Sequence, residues 1–117
     1  MLMIFRLKPK SKKIWDEYGY LIDTHTAVAC AVNEKLADGT KTVIASTANP
    51  FKFNGSVLEA LVGKLDTDDE FAISDKLSEM TKAEVPVSLA ELKTKTPKFD
   101  ACCNKEDMKK RVNEFLA

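Results

Sequence analysis

Residues 42–53, T-V-I-A-S-T-A-N-P-F-K-F, constrain the fold more than any other stretch of this chain. The stretch opens with three β-branched residues, Thr42, Val43 and Ile44, which favour an extended backbone over a helix. The short apolar run does not alternate with polar residues, as in a strand that is covered on both faces. It therefore predicts a buried strand over residues 42–46.

Small polar side chains follow this predicted strand, and a helix is expected after Pro50. Ser46 and Thr47 stand at the carboxyl end of the strand, and Ala48 and Asn49 complete the loop. Open α/β sheets bind ligands in the crevice at the carboxyl ends of their strands, so this loop is a candidate binding site. The alternative is that the loop only connects a strand to a helix.

Helical periodicity and capping residues dominate the rest of the chain. Asp23 is a candidate N-cap for an Ala- and Val-rich helix, and Gly39 is expected to end that helix in a left-handed conformation. A possible strand covers residues 1–7, and the basic run at residues 10–13 is interpreted as a solvated turn. The predicted helices cover residues 14–18, 24–37, 54–64, 67–82 and 88–92, with a last helix after Asn104.

The expected chain is thus mostly α-helical, with one buried strand and a possible second strand at its start. A single strand cannot form a sheet by itself. We therefore expect the chain to be part of something larger, or to pair with a partner chain.

Composition excludes several classes of protein. The 117 residues are 44% hydrophobic, which suits one small domain, and 18 basic side chains balance 18 acidic ones. A nucleic-acid or anionic-membrane surface would need a basic excess, so neither partner is expected. There is no apolar run of transmembrane length. Three irregularly spaced cysteines argue against a disulfide framework. Together with the lack of a transmembrane run, this predicts a cytoplasmic protein.

Few residues outside the loop carry recognisable chemistry. The chain lacks a G-x-G-x-x-G loop, a Walker loop and an H-E-x-x-H pair. A triad could be drawn from Ser46, His25 and Asp23, but nothing in their spacing supports it. A histidine in the first turn of a helix is more often a local hydrogen-bonding residue than a catalyst.

A metal site is not expected either. The candidate ligands would be His25, Cys30, Cys102 and Cys103. Structural zinc sites use cysteines separated by two to four residues, whereas Cys102 and Cys103 are adjacent. Cys30 lies among Ala and Val residues and is interpreted as a small buried apolar side chain.

Two segments, taken together and in order, resemble signatures of threonine synthases. Residues 18–29 read Y-G-Y-L-I-D-T-H-T-A-V-A and resemble G-Y-x-[IL]-D-P-H-[ST]-A-V-A. Residues 45–53 read A-S-T-A-N-P-F-K-F and resemble S-T-A-[HSN]-P-x-K-F. The resemblance covers residues 14–117 and corresponds to the carboxyl-terminal portion of that enzyme. Residues 1–13 form an unmatched amino-terminal segment.

This resemblance implies the α/β fold of type II pyridoxal 5'-phosphate (PLP) enzymes. It also implies the conversion of O-phospho-L-homoserine and water to L-threonine and phosphate. In that fold, the end of a late strand presents a Ser or Thr hydroxyl to the pyridine nitrogen of the cofactor. The matching residue is Thr47, and Ser46, Ala48 and Asn49 would line the same cofactor-binding loop. A neutral hydroxyl at the nitrogen moderates the electron sink of the cofactor.

The chain departs from the family pattern at several points. Thr24 replaces the usual proline, and Asn49 stands where histidine is common. The lysine that binds the cofactor covalently, and the Gly-rich cradle for its phosphate, lie upstream in the family and outside these residues. Lys52 matches a different lysine of the signature, so no catalytic residue is expected in this chain.

Two hypotheses follow from these observations. The chain is part of a PLP-dependent threonine synthase, inactive alone and completed by the remainder of the enzyme or by a second copy. The alternative is a non-catalytic helical interaction module that retains the sequence of an enzyme fragment, with an exposed strand edge that binds a partner.

Overall fold

The computed structural model of the protein describes residues 7–36, 38–98 and 101–117. Within these ranges the chain is organised as six α-helices and three 3-10 turns. The helices are α1 (Leu7–Tyr18), α2 (Thr24–Leu36), α3 (Asn54–Val62), α4 (Glu70–Thr81), α5 (Val87–Ala90) and α6 (Met108–Leu116). The 3-10 turns are Pro50–Phe53, Glu91–Lys93 and Lys105–Asp107.

The core of the molecule forms around α3, which contacts both α1 and α4. An amphipathic helix buries the apolar residues that recur at its 3.6-residue period, and α3 follows this rule with Val57, Leu58 and Leu61. From α4, Ile73 and Leu77 meet them. Partly buried side chains surround this cluster, among them Trp15, Leu21, Leu65, Val85 and Leu89.

The predicted strand over residues 42–46 is wrong. Residues 40–47 have no regular secondary structure, and the described part of the chain contains no strand at all. The Val43 side chain is 96% exposed, so this residue is not buried on two faces. A β-branched run suits an extended backbone, but a strand also needs a neighbour to pair with. None of the described residues supplies one.

Helix α1 begins at Leu7, whereas the sequence predicted a helix from residue 14. The predicted solvated turn at residues 10–13 is therefore wrong, and so is the end of the possible strand at Leu7. Pro9 is tolerated because it lies in the first turn, where backbone N–H groups have no helical partner. Lys10 and Lys13 place their ammonium groups 2.7 and 3.1 Å from the carboxylate of Glu34 in α2. The rest of the possible amino-terminal strand, residues 1–6, lies outside the described residues.

Helix α6 carries an exposed apolar stripe on an otherwise polar surface. Met108, Val112, Phe115 and Leu116 are each more than half exposed. These are the apolar positions that recur at the helical period. In the described residues, no helix has both the length and the apolar character needed to cross a membrane.

Candidate functional site

The first turn of α2 is organised by the carboxylate of Asp23. Asp23 is completely buried, and its Oδ1 accepts hydrogen bonds from the backbone N–H groups of His25 (2.8 Å) and Thr26 (3.3 Å). These N–H groups have no partner within the helix, and an acidic side chain at the N-cap satisfies them. The N-cap predicted from the sequence is confirmed.

The same carboxylate connects residues 18–29 with residues 45–53, the two segments that carry the resemblance. The Thr26 hydroxyl donates a short hydrogen bond to Asp23 Oδ2 and lies 3.1 Å from the Ser46 hydroxyl. Ser46 Oγ is itself 3.4 Å from Asp23 Oδ2. A triangle of one carboxylate and two hydroxyls therefore fixes the start of the 46–49 loop against α2.

Asp23 is held in its ionised form by these contacts. Burial opposes ionisation and by itself raises the pKa of a carboxyl group. In Asp23, the hydrogen bonds from the Thr26 hydroxyl and from the backbone N–H groups of His25 and Thr26 outweigh burial and lower its pKa below the ordinary value. The site is thus built around a buried negative charge with several donors.

His25 projects from this charge toward solvent. Its Nδ1 lies 3.2 Å from Asp23 Oδ1, while its side chain is 65% exposed. The His25 ring also contacts Phe53, with ring centroids 5.0 Å apart and an interplanar angle of 58°. The Lys52 ammonium lies 5.6 Å from the centroid of the same Phe53 ring, within the range of a cation–π contact.

The four loop residues predicted to bind the cofactor have different surroundings. Ser46 belongs to the Asp23 triangle, and Ala48 is half-buried. The Asn49 side chain accepts a hydrogen bond from the backbone N–H of Phe51 (2.9 Å) and so caps the Pro50–Phe53 turn. Thr47 is exposed, and its hydroxyl makes no hydrogen bond to another described residue. Among the four, Thr47 has the side chain that is most available to a ligand.

The arrangement does not correspond to a nucleophilic triad. In a triad, the histidine lies between the serine and the carboxylate. Here Ser46 and His25 both contact Asp23, and the described residues include no hydrogen bond between Ser46 and His25. The triad that the sequence failed to support is therefore absent from this part of the chain.

The candidate metal ligands do not form a cluster. Cys30 is half-buried in α2, whereas Cys102 and Cys103 are exposed ahead of α6. Over the described ranges, no group of three or more His, Cys, Asp or Glu side chains is placed to hold a metal ion.

Sequence reasoning missed the roles of Thr26 and Phe53. Thr26 bridges Asp23 and Ser46, and Phe53 contacts both His25 and Lys52. Thr26 lies in residues 18–29 and Phe53 in residues 45–53, the two segments that carry the resemblance. Membership of these segments is the signal that could have drawn attention to them. The Thr26–Ser46 and His25–Phe53 contacts join residues far apart in the chain and are set by tertiary packing.

A family model described as "Threonine synthase, C-terminal" matches residues 26–112. This range includes the 46–49 loop, Phe53 and the core around α3, and it begins at Thr26, just after His25. A search of curated proteins found no match.

Proposed function

The chain belongs to the threonine synthase family, whose carboxyl-terminal portion it matches, and we propose that it supplies one wall of a threonine synthase active site. The family places it in threonine biosynthesis. The proposed reaction converts O-phospho-L-homoserine and water to L-threonine and phosphate. These 117 residues would not carry it out alone, because the lysine that binds the cofactor covalently would come from another part of the enzyme.

The exposed hydroxyl of Thr47 is the observation that carries this proposal. A hydroxyl without an internal acceptor can donate its proton to a ligand, and the Thr47 hydroxyl has no partner among the described residues. We assign it to the pyridine nitrogen of pyridoxal phosphate, with Ser46, Ala48 and Asn49 as the surrounding loop. When bound, the cofactor supplies the conjugated electron sink that lets bonds near the substrate's α-carbon break.

The neighbours of Thr47 suit a positioning role. Asp23 and Thr26 hold Ser46 at one side of the loop, and Asn49 caps the turn at the other side. Thr47 is left between two anchored residues with its own hydroxyl uncommitted. Because a binding group works best when its support is rigid, this arrangement favours a site over a mere connection.

Exposed apolar side chains support contact with further protein. Val43 is 96% exposed, Leu36 74% and Phe115 76%. Phe115 belongs to the apolar stripe of α6 with Val112 and Leu116, and a contiguous exposed apolar surface commonly marks a protein interface. We propose that the remainder of the enzyme, or a second copy of the chain, covers them. The same observation supports the alternative of a non-catalytic interaction module, which would bind a partner without completing an active site.

Reconstitution separates the two functions. The full chain is mixed with a threonine synthase that has been truncated before the matching portion, and phosphate release from O-phospho-L-homoserine is measured with added pyridoxal phosphate. We expect release from the mixture and none from either component alone. Turnover by the chain alone would contradict the proposal. Binding to the truncated enzyme without turnover would favour the interaction module.

A further inference from the structure

We propose that His25 and Lys52 bind the phosphate group of a phosphorylated amino-acid substrate. This inference rests on the proposed function, since it assigns residues to the substrate of that same site. It is carried by two basic side chains that meet at one aromatic ring: the Phe53 centroid lies 5.0 Å from the His25 centroid and 5.6 Å from Lys52 Nζ.

His25 is oriented to receive an anion from solvent. Its Nδ1 faces the buried Asp23 carboxylate at 3.2 Å from Oδ1, so a proton on Nδ1 can be donated to that oxygen. Nε2 lies on the opposite side of the ring, and the side chain is 65% exposed. When the ring carries both protons, Nε2–H can donate a charge-assisted hydrogen bond to a phosphate oxygen.

Lys52 supplies an uncommitted positive charge. Within the described residues, its ammonium forms no ion pair with a carboxylate, and its side chain is exposed. The contact with Phe53 restricts where the ammonium lies without consuming its hydrogen-bond donors. Lys52 can therefore pair with an incoming anion without first breaking an internal salt bridge.

We assign the pair to the phosphate of the substrate, and titration with pyridoxamine phosphate separates this assignment from the phosphate of the cofactor. Lys52 and Phe53 follow the 46–49 loop directly, and Asp23 connects His25 to the same loop through Ser46. The proposed function already assigns that loop to the pyridine nitrogen, while the resemblance implies that the cradle for the cofactor phosphate lies upstream of these residues. A phosphate monoester carries about 1.5 to 2 negative charges at pH 7, which an uncommitted ammonium group such as that of Lys52 can pair with.

The test uses the single histidine of the chain as its reporter. The ring signals of His25 are followed by NMR at constant pH. The full chain is titrated with O-phospho-L-homoserine, inorganic phosphate and pyridoxamine phosphate, with sodium chloride at matched ionic strength. We expect a saturable shift with O-phospho-L-homoserine and inorganic phosphate, and none with chloride.

Matched variants distinguish a site from general charge attraction. Lys52→Gln should weaken O-phospho-L-homoserine binding about tenfold, as expected for one lost charge-assisted contact. Lys41→Gln removes an exposed lysine from the irregular segment and should leave binding unchanged. Equal weakening by both variants, or a shift no larger than with chloride, would overturn the inference.

Two further outcomes identify the source of the phosphate. Half-saturation of the shift at a lower concentration of pyridoxamine phosphate than of O-phospho-L-homoserine would assign the site to the cofactor and overturn the substrate assignment. The titration with O-phospho-L-homoserine is made without cofactor, so the His25 shift reports on phosphate binding and not on the Thr47 contact to the pyridine nitrogen. Failure of this inference is thereby distinguishable from failure of the proposed function, which is tested at Thr47.

Discussion

Asp23 Oδ2 lies 3.4 Å from the hydroxyl of Ser46, a residue 23 positions further along the chain. This contact brings the start of α2 and the 46–49 loop together. The carboxylate belongs to residues 18–29 and the hydroxyl to residues 45–53, so the two segments that carry the resemblance are in direct contact. Asp23 is accordingly the residue on which the geometry of the site depends most.

Replacing Asp23 with alanine should destabilise the protein by about 3 kcal/mol. The variant loses an N-cap and leaves buried donors without an acceptor, and the two effects together reach this size. Chemical denaturation followed by circular dichroism measures the change. Asp68→Ala is the matched control, because Asp68 is exposed, and it should change the free energy of unfolding little. Equal losses in both variants would contradict the role given to Asp23.

The pH dependence of stability should change when the Asp23 charge is removed. The pKa of Asp23 is lower in the folded protein than in the unfolded chain, so the unfolded state takes up its proton first as pH falls. Asp23 therefore stabilises the fold above its ordinary pKa of about 3.9, and this stabilisation is lost as pH falls through the lower folded value. Below about pH 4, Asp23→Asn should consequently show a shallower loss of stability than the wild-type chain. Parallel curves for the two proteins would contradict this prediction.

The hydrogen bond by which Asn49 caps the Pro50–Phe53 turn should contribute to the stability of the protein. Asn49→Ala removes the acceptor for the Phe51 N–H and should cost about 1 kcal/mol, the usual contribution of a capping side chain. Asn49→Asp keeps an acceptor at the same position and should retain most of the stability. Thermal melts of the two variants test the prediction, and it fails if aspartate is no better than alanine.

Asn54 is expected to anchor α3 to α4. Its buried Nδ2 donates to the Glu70 carbonyl (2.6 Å) and to the Ser74 hydroxyl (2.7 Å). Asn54→Ala leaves both acceptors without this donor and should destabilise the protein by about 2 kcal/mol. Asn113→Ala, at an exposed position of α6, is the control and should have little effect on the denaturation midpoint. If Asn54→Ala lost no more stability than Asn113→Ala, the two hydrogen bonds of Asn54 would contribute little to the fold.

Local chemistry made much of the helical structure predictable. Asp23 has the side chain that an N-cap requires, and α2 begins immediately after it at Thr24. Gly19 adopts a positive φ of 62° where α1 was expected to end. Val57, Leu58 and Leu61 recur at the helical period and are buried. Each of these features depends on residues close together in the chain.

Features that depend on distant partners could not be predicted in this way. The β-branched run at residues 42–46 satisfies the local requirement for a strand, but it finds no pairing partner among the described residues. The basic start of α1 looked like a turn, because its ion pairs with Glu34 lie in another helix. The Asp23–Ser46 contact likewise follows from packing between elements. The resemblance indicated which segments matter, while only the structure places them against each other.

The most direct test of the central claim is phosphate release by the reconstituted enzyme with Thr47 altered. Thr47→Ser keeps the hydroxyl and should support turnover close to that of the wild-type chain. Thr47→Val has a similar shape but no hydroxyl, and it should lower turnover at least about tenfold, the effect of losing one hydrogen bond to the cofactor. Turnover by Thr47→Val equal to that of Thr47→Ser would contradict the assignment of this loop to the cofactor.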